Sequence, residues 1–161
     1  MDVKFPVSSY RKLFDYRCFM AAGHSPAVGV QLKAEFVKPG WPQVIKTILL
    51  VDDNPGYLAV AQMILKDLNI KVIAVDPAFP IREQVLRLIE AHKPDLIIMD
   101  GEMPDVSGLE LVKELRGNIK YEGYIAANSA SNKQMREMER VGADFSIAWK
   151  VISNLLGYFK P

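Results

Sequence analysis

Residues 46–161 predict an α/β domain: a doubly wound parallel sheet covered by helices. Two observations carry that expectation. Short apolar runs rich in β-branched residues alternate with longer stretches of helical periodicity, and the runs are apolar throughout rather than at every second position, as in Leu96-Ile97-Ile98-Met99. The first pattern calls for strands joined by helical crossovers. The second suits strands buried on both faces.

In chain order the strands are expected at Thr47 to Val51, Lys71 to Val75, Leu96 to Met99, Tyr124 to Asn128 and Phe145 to Trp149. Helices are expected at Leu58 to Leu68, Ile81 to His92, Gly108 to Arg116 and Lys133 to Val141, with a short last one near Ile152 to Tyr158. Each helix has apolar residues three and four apart, such as Val85, Leu86 and Ile89. Pro80 ahead of the second helix and Gly142 after the fourth are start and stop signals in their usual places.

Residues 1–45 read as a separate amino-terminal extension. Ser8 or Ser9 can cap a helix that carries Tyr10, Leu13, Phe14, Cys18 and Ala21 on one face and closes at Gly23. Next, Val28, Val30, Leu32, Ala34 and Phe36 alternate with polar residues or glycine like a half-buried strand, while Leu32 and Phe36 also fit a helix. Pro39-Gly40-Trp41-Pro42 reads as a turn or linker before the domain at residues 46–161.

The chain has 161 residues, 50% hydrophobic and 24% charged, with a formal net charge of +1. A chain of this size buries about two thirds of its unfolded surface without disulfides or structural metals. Its near-zero charge gives no reason to expect nucleic acid or an anionic membrane as the main partner. Residues 1–45 carry six Lys/Arg against three Asp/Glu, and residues 46–161 fourteen against sixteen. The single cysteine, Cys18, has no internal partner and reads as a small core residue, which suits a reducing cytoplasm. Export and membrane spanning are not expected, because no stretch approaches the roughly 18 apolar residues of a span.

Chemistry concentrates at the carboxyl ends of the strands, the edge where open α/β sheets bind ligands. Asp52 and Asp53 follow the first strand and Asp100 the third, so the three carboxylates meet in one pocket if those strands are neighbours. Their repulsion is best relieved by a divalent cation, and an oxygen-only ligand set favours Mg²⁺. A carboxylate held this way can attack a phosphoryl group. Ser129 follows the fourth strand with a hydroxyl able to bond a phosphate oxygen, and Lys150 follows the fifth with a compact ammonium.

Each of these residues has a plainer reading. Asp52, Asp53 and Asp100 could be helix caps and turn formers, Ser129 the N-cap of the following helix, and Lys150 alone an ordinary surface lysine. Glu102 could reach the metal or the attacking water, or be a solvated loop residue. His24 and His92 stand alone, Trp41 and Trp149 read as packing residues, and Lys133, Arg136 and Arg140 read as a solvated helix face.

The run Ile48-Leu49-Leu50-Val51-Asp52-Asp53-Asn54, then Lys93-Pro94-Asp95-Leu96-Ile97-Ile98-Met99-Asp100, Met103-Pro104 and Gly108-Leu109-Glu110-Leu111, resembles the bacterial response regulator receiver domain. Ser129-Ala130, Gly142-Ala143-Asp144 and Lys150 continue the match in order, over roughly residues 46 to 158. The resemblance implies a flavodoxin-like, five-stranded sheet in the order 2-1-3-4-5. It implies that Asp52, Asp53, Asp100 and the backbone carbonyl of Glu102 hold Mg²⁺, that Asp100 accepts phosphate, and that Ser129 and Lys150 bind the phosphoryl oxygens. It further implies a histidine kinase or phosphotransfer protein as donor, a downstream effector protein, and no catalysis beyond self-dephosphorylation. A homodimer is compatible with this reading.

No DNA-binding or other output domain is expected in this chain, and residues 1–45 could serve as a small effector, a dimerisation arm or a cover for the sheet. Three features depart from the family pattern. Val151 replaces the usual proline after Lys150, the interval from Gly142 to Lys150 is one residue longer, and Ile147 stands where an aromatic residue normally lies. A binding module that signals without phosphorylation is the alternative; a phosphatase using Asp100 is a third reading, for which no general acid is evident.

Overall fold

The computed structural model describes residues 29–147 and 150–161. The helix expected between Tyr10 and Ala21, with Cys18 and His24, lies outside the described residues, as does Trp149.

Before the main sheet, β1 (Val30–Gln31) pairs antiparallel with β2 (Val44–Ile45), with a turn of 3-10 helix at Ala34–Phe36 between them. Five strands then build a parallel sheet: β3 (Thr47–Val51), β4 (Lys71–Ala74), β5 (Leu96–Met99), β6 (Tyr124–Ala127) and β7 (Phe145–Ser146), in the order β4-β3-β5-β6-β7. Counting from β3 as the first, this is the expected order 2-1-3-4-5. Register is set by pairs such as Leu49 with Ile97 and Ile98 with Ala126. Every residue of β5 and β6 is buried, as the continuous apolar runs foretold.

Helix α1 spans Pro55–Leu65, three residues earlier at each end than the periodicity suggests. The side chain of Asn54 caps it by accepting from the Tyr57 backbone N–H, and Pro55 occupies the first turn, where its missing N–H costs nothing. Helix α2 (Ile81–His92) has its expected bounds and closes on Lys93, which takes a left-handed φ of 45°. Helix α3 (Gly108–Gly117) begins with a reciprocal capping box between Ser107 and Glu110. Helix α4 (Asn132–Arg140) is capped by Ser131, which takes the role considered for Ser129. The last helical segment, Ile152–Tyr158, is 3-10. Strand β7 is short, although the Ile147 N–H still donates to the Ala127 carbonyl at 2.8 Å.

The segment before β3 is stitched to the end of the chain. Leu32 bridges to Phe159, the Lys33 N–H donates to the Tyr158 carbonyl and the Lys160 N–H to the Gln31 carbonyl. The strand and helix patterns read over Val28–Phe36 thus each hold for part of the stretch. Leu32 and Ile45 are fully buried in the same core as Ile48, Leu96 and Leu155. Beside β7, Phe145 stacks on Tyr158 with ring centroids 4.3 Å apart, and Phe36 packs on Tyr158 at 4.6 Å.

Arg116 of α3 ties the loop before β6 to the loop before β7. Its guanidinium donates to the carbonyls of Gly142 and Gly123 and, at 2.7 Å, to the Asp144 carboxylate. Asp144 also accepts from the Ile125 N–H and from Lys38, and the Trp41 ring lies 4.9 Å from the guanidinium.

Candidate functional site: an acidic pocket at the carboxyl edge of the sheet

Strands β3 and β5 are neighbours, so the residues that follow them emerge side by side. Asp52 follows Val51, and Asp100 follows Met99 with its N–H on the Val51 carbonyl at 2.8 Å. Asp52, Asp53 and Asp100 each offer an oxygen atom, and these lie within 4.8 Å of one another. Asp52 and Asp100 are buried, and Asp53 is partly exposed.

Lys150, which follows β7 in the chain, reaches the same point. Its Nζ stands 3.1 Å from Asp52 Oδ2 and 3.1 Å from Asp100 Oδ1. Its backbone is left-handed, with φ 52°. The contact with Asp100 is a hydrogen bond. The contact with Asp52 is an ion pair without hydrogen-bond geometry, which leaves buried Asp52 Oδ2 short of a donor. Asp52 Oδ1 accepts from the Asn54 N–H at 2.8 Å.

The electrostatics follow from three acids facing one ammonium. Burial pushes Asp52 above the ordinary carboxylate value, more strongly than the Asn54 N–H and the nearby Lys150 ammonium pull it down. Burial and the neighbouring Asp52 push Asp100 up in the same way. Burial opposes the charge of Lys150, but its pairing with Asp52 and Asp100 outweighs that and raises its pKa. One lysine therefore leaves the pocket with uncompensated negative charge. A donor-poor carboxylate oxygen and two strained acids form the environment that an oxygen-seeking divalent cation fits.

Ser129 lies at the end of β6, beside this pocket, and is buried. Its hydroxyl donates to Gln134 Oε1 at 2.6 Å and accepts from the Ser131 N–H. Glu102 is exposed and forms an isolated bridge with Ser107. His92 contacts Lys71, away from the pocket. Ile147, at the position of the family's aromatic residue, is fully buried.

Three pocket residues escaped the sequence reading. Tyr57, in the first turn of α1, places its ring 5.2 Å from Lys150 Nζ and its hydroxyl against the side-chain amide of Asn128. Burial pushes its phenol well above the ordinary tyrosine value; the bond from Asn128 acts against this, and the charges of Asp52 and Asp100 add to it. The Asn128 amide oxygen is buried without a hydrogen-bond partner. Gln134 joins Ser129 to the Gly101 carbonyl, to which its Nε2 donates at 2.9 Å. The spacing Ser131-x-x-Gln134 is a capping-box signal. The sequence reading passed over that signal, and the signal alone would mark the helix start without revealing where the glutamine side chain goes.

The sequence matches the family of the response regulator receiver domain over residues 48–151. It is 34% identical over 110 residues to the virulence sensor protein BvgS of Bordetella pertussis, a match covering 65% of this chain and 9% of that protein. It is 36% identical over 69 residues to the sensor histidine kinase GacS of Pseudomonas protegens, covering 43% of this chain and 7% of that one. The chain therefore spans a small part of these relatives.

Among solved structures, chemotaxis protein CheY4 of Vibrio cholerae superposes with a TM-score of 0.59 at 24% identity, over 71% of this chain and 95% of that one. The receiver domain of the Arabidopsis thaliana histidine kinase CKI1, complexed with Mg²⁺ and BeF₃⁻, superposes with a TM-score of 0.56 at 28% identity, over 70% and 86%. The fold is that of the receiver domain of two-component systems. The chain belongs to the response regulator receiver domain family.

Proposed function

We infer that this chain is a phosphoacceptor switch of a two-component or phosphorelay system, in which Asp100 takes a phosphoryl group from a histidine kinase or phosphotransfer protein. The observation that carries this reading is Lys150 Nζ at 3.1 Å from both Asp52 and Asp100, inside a cluster of three carboxylates. The similarity to a receiver domain solved with Mg²⁺ and BeF₃⁻ supports it.

Asp52, Asp53 and Asp100, with the backbone carbonyl of Glu102, would hold Mg²⁺. When bound, the ion neutralises charge on the carboxylates and on the transferring phosphoryl group. Asp100 acts as nucleophile in its ionised form. Its carboxylate oxygen forms a bond to phosphorus as the bond from phosphorus to the donor imidazole nitrogen breaks, giving an acyl phosphate on Asp100.

Lys150 then carries its charge from the free carboxylate to the phosphoryl oxygens, and the Ser129 hydroxyl supplies a further donor. Slow attack by water returns Asp100 to its starting state, so the chain resets itself without being a turnover enzyme. The phosphorylated form would act on a downstream effector protein in the cytoplasm. Among the described residues no helix is long and apolar enough to cross a membrane.

The test is Mg²⁺-dependent labelling by acetyl phosphate, comparing the native chain with Asp100→Ala. Labelling of the native chain alone is expected. Equal labelling of the two would remove Asp100 from this role.

A further inference from the structure

The Ser129 hydroxyl has one proton, and that proton is already committed. It is donated to Gln134 Oε1 at 2.6 Å, while the same glutamine's Nε2 donates to the Gly101 carbonyl at 2.9 Å and its backbone N–H caps onto Ser131 Oγ. Gly101 adjoins Asp100, and a Cβ on Gly101 would fall 2.2 Å from Gln134 Oε1, so the amide is packed hard against that peptide. A bound phosphoryl group presents mainly acceptor oxygens. Ser129 cannot donate to one while its proton rests on Gln134.

We propose that Gln134 is a positioning residue for phosphoryl binding: it holds the Ser129 hydroxyl in the unphosphorylated arrangement and must give up that proton for Ser129 to engage a phosphoryl group. This rests on the phosphoacceptor reading above. Ser129 and the first turn of α4 are linked through the same side chain, so release of the hydroxyl leaves Gln134 Oε1 without its donor at the helix start. Gln134 thereby sets the balance between the resting and phosphoryl-bound arrangements.

Beryllofluoride with Mg²⁺ serves as the probe, and binding to the full chain is measured by calorimetry. Gln134→Met keeps length and helix preference while removing both side-chain hydrogen bonds. It is expected to bind beryllofluoride about 3- to 10-fold more tightly, the scale of one net hydrogen bond, with Mg²⁺ affinity unchanged. In a Ser129→Ala background the same substitution should have no effect, because there is no hydroxyl to release.

Gln134→Glu retains an acceptor for Ser129, cannot donate to Gly101 when ionised, and adds negative charge. It should bind beryllofluoride more weakly than the native chain. Unchanged or weaker binding by Gln134→Met, or an equal gain without the serine, overturns the proposal while leaving the phosphoacceptor reading intact. Failure of the native chain to bind beryllofluoride overturns that reading and this one together.

Discussion

Gly108, the first residue of α3, packs so tightly on the backbone of Asp100 that a Cβ placed on it would stand 2.0 Å from the Asp100 carbonyl oxygen. The Gly108 N–H also donates to the Gly101 carbonyl at 2.9 Å. The contact is with backbone, which has no rotamer to change. Gly108→Ala is therefore expected to lose about 3 kcal/mol, the upper range for overpacking, or to move the strand end that carries Asp100. Urea unfolding checks this. At Gly117, where a Cβ meets nothing within 4 Å, Ala should change stability by no more than about 1 kcal/mol. Equal midpoints for the two variants would show that the close approach is not a constraint.

Asp100→Asn should stabilise the Mg²⁺-free protein at neutral pH. Burial first, then Asp52, raises the Asp100 pKa in the folded state above its unfolded value. A group raised in this way supports folding below the unfolded pKa and loses that contribution as pH rises through the folded pKa. At pH 7 the native chain therefore bears the cost of an ionised, crowded carboxylate, which asparagine lacks. Thermal melts should show a higher midpoint for Asp100→Asn at pH 7, with the gap narrowing toward the carboxylate range and on adding Mg²⁺ to the native chain. A lower midpoint for the variant at pH 7 would contradict the charge-crowding account.

The parts of this architecture that were legible in the sequence are those set by local pattern. Leu96-Ile97-Ile98-Met99 gave β5 its bounds because a fully buried parallel strand leaves no polar position, and Ile81–His92 stood out after Pro80 by its apolar spacing. Helix α1 was displaced because Asn54 and Pro55 begin it ahead of its first apolar residue. The aspartates and Lys150 could be placed at one edge because each directly follows an expected strand. Tyr57 and Gln134 could not, since their roles depend on side-chain directions across elements distant in sequence. The pairing of Leu32 with Phe159 joins the two ends of the described chain, and no local period encodes it.

The buried pair of Arg116 and Asp144 is a second site of high cost. Asp144 has a side chain only 3% exposed and accepts from Arg116 at 2.7 Å, from Ile125 at 2.7 Å and from Lys38. Removing one partner strands the other charge away from water. Asp144→Ala should cost about 3–5 kcal/mol. Arg116→Lys should recover little of the native stability, because an ammonium cannot reproduce the planar fork that meets Gly123, Gly142 and Asp144 together. Chemical denaturation of the native chain and both variants tests the point. A loss under about 1 kcal/mol for Asp144→Ala would mean that water reaches the guanidinium.

Whether residues 1–45 stand apart from the domain at 46–161 can be decided at Leu32. This residue is 1% exposed, pairs with Phe159 and belongs to the same core as Ile45, Ile48 and Leu155. If the segment that carries it is part of the receiver's folding unit, truncating it leaves a cavity inside that unit. Leu32→Ala should then cost about 2–5 kcal/mol and shift one cooperative transition as a whole. Near-ultraviolet signals from the aromatic residues and far-ultraviolet signals from the helices should move together. A variant whose helices melt at the native midpoint, with only a small early change from Phe36 and Tyr158, would instead make residues 29–45 an appendage. Its contacts would then be dispensable to the sheet that holds Asp100.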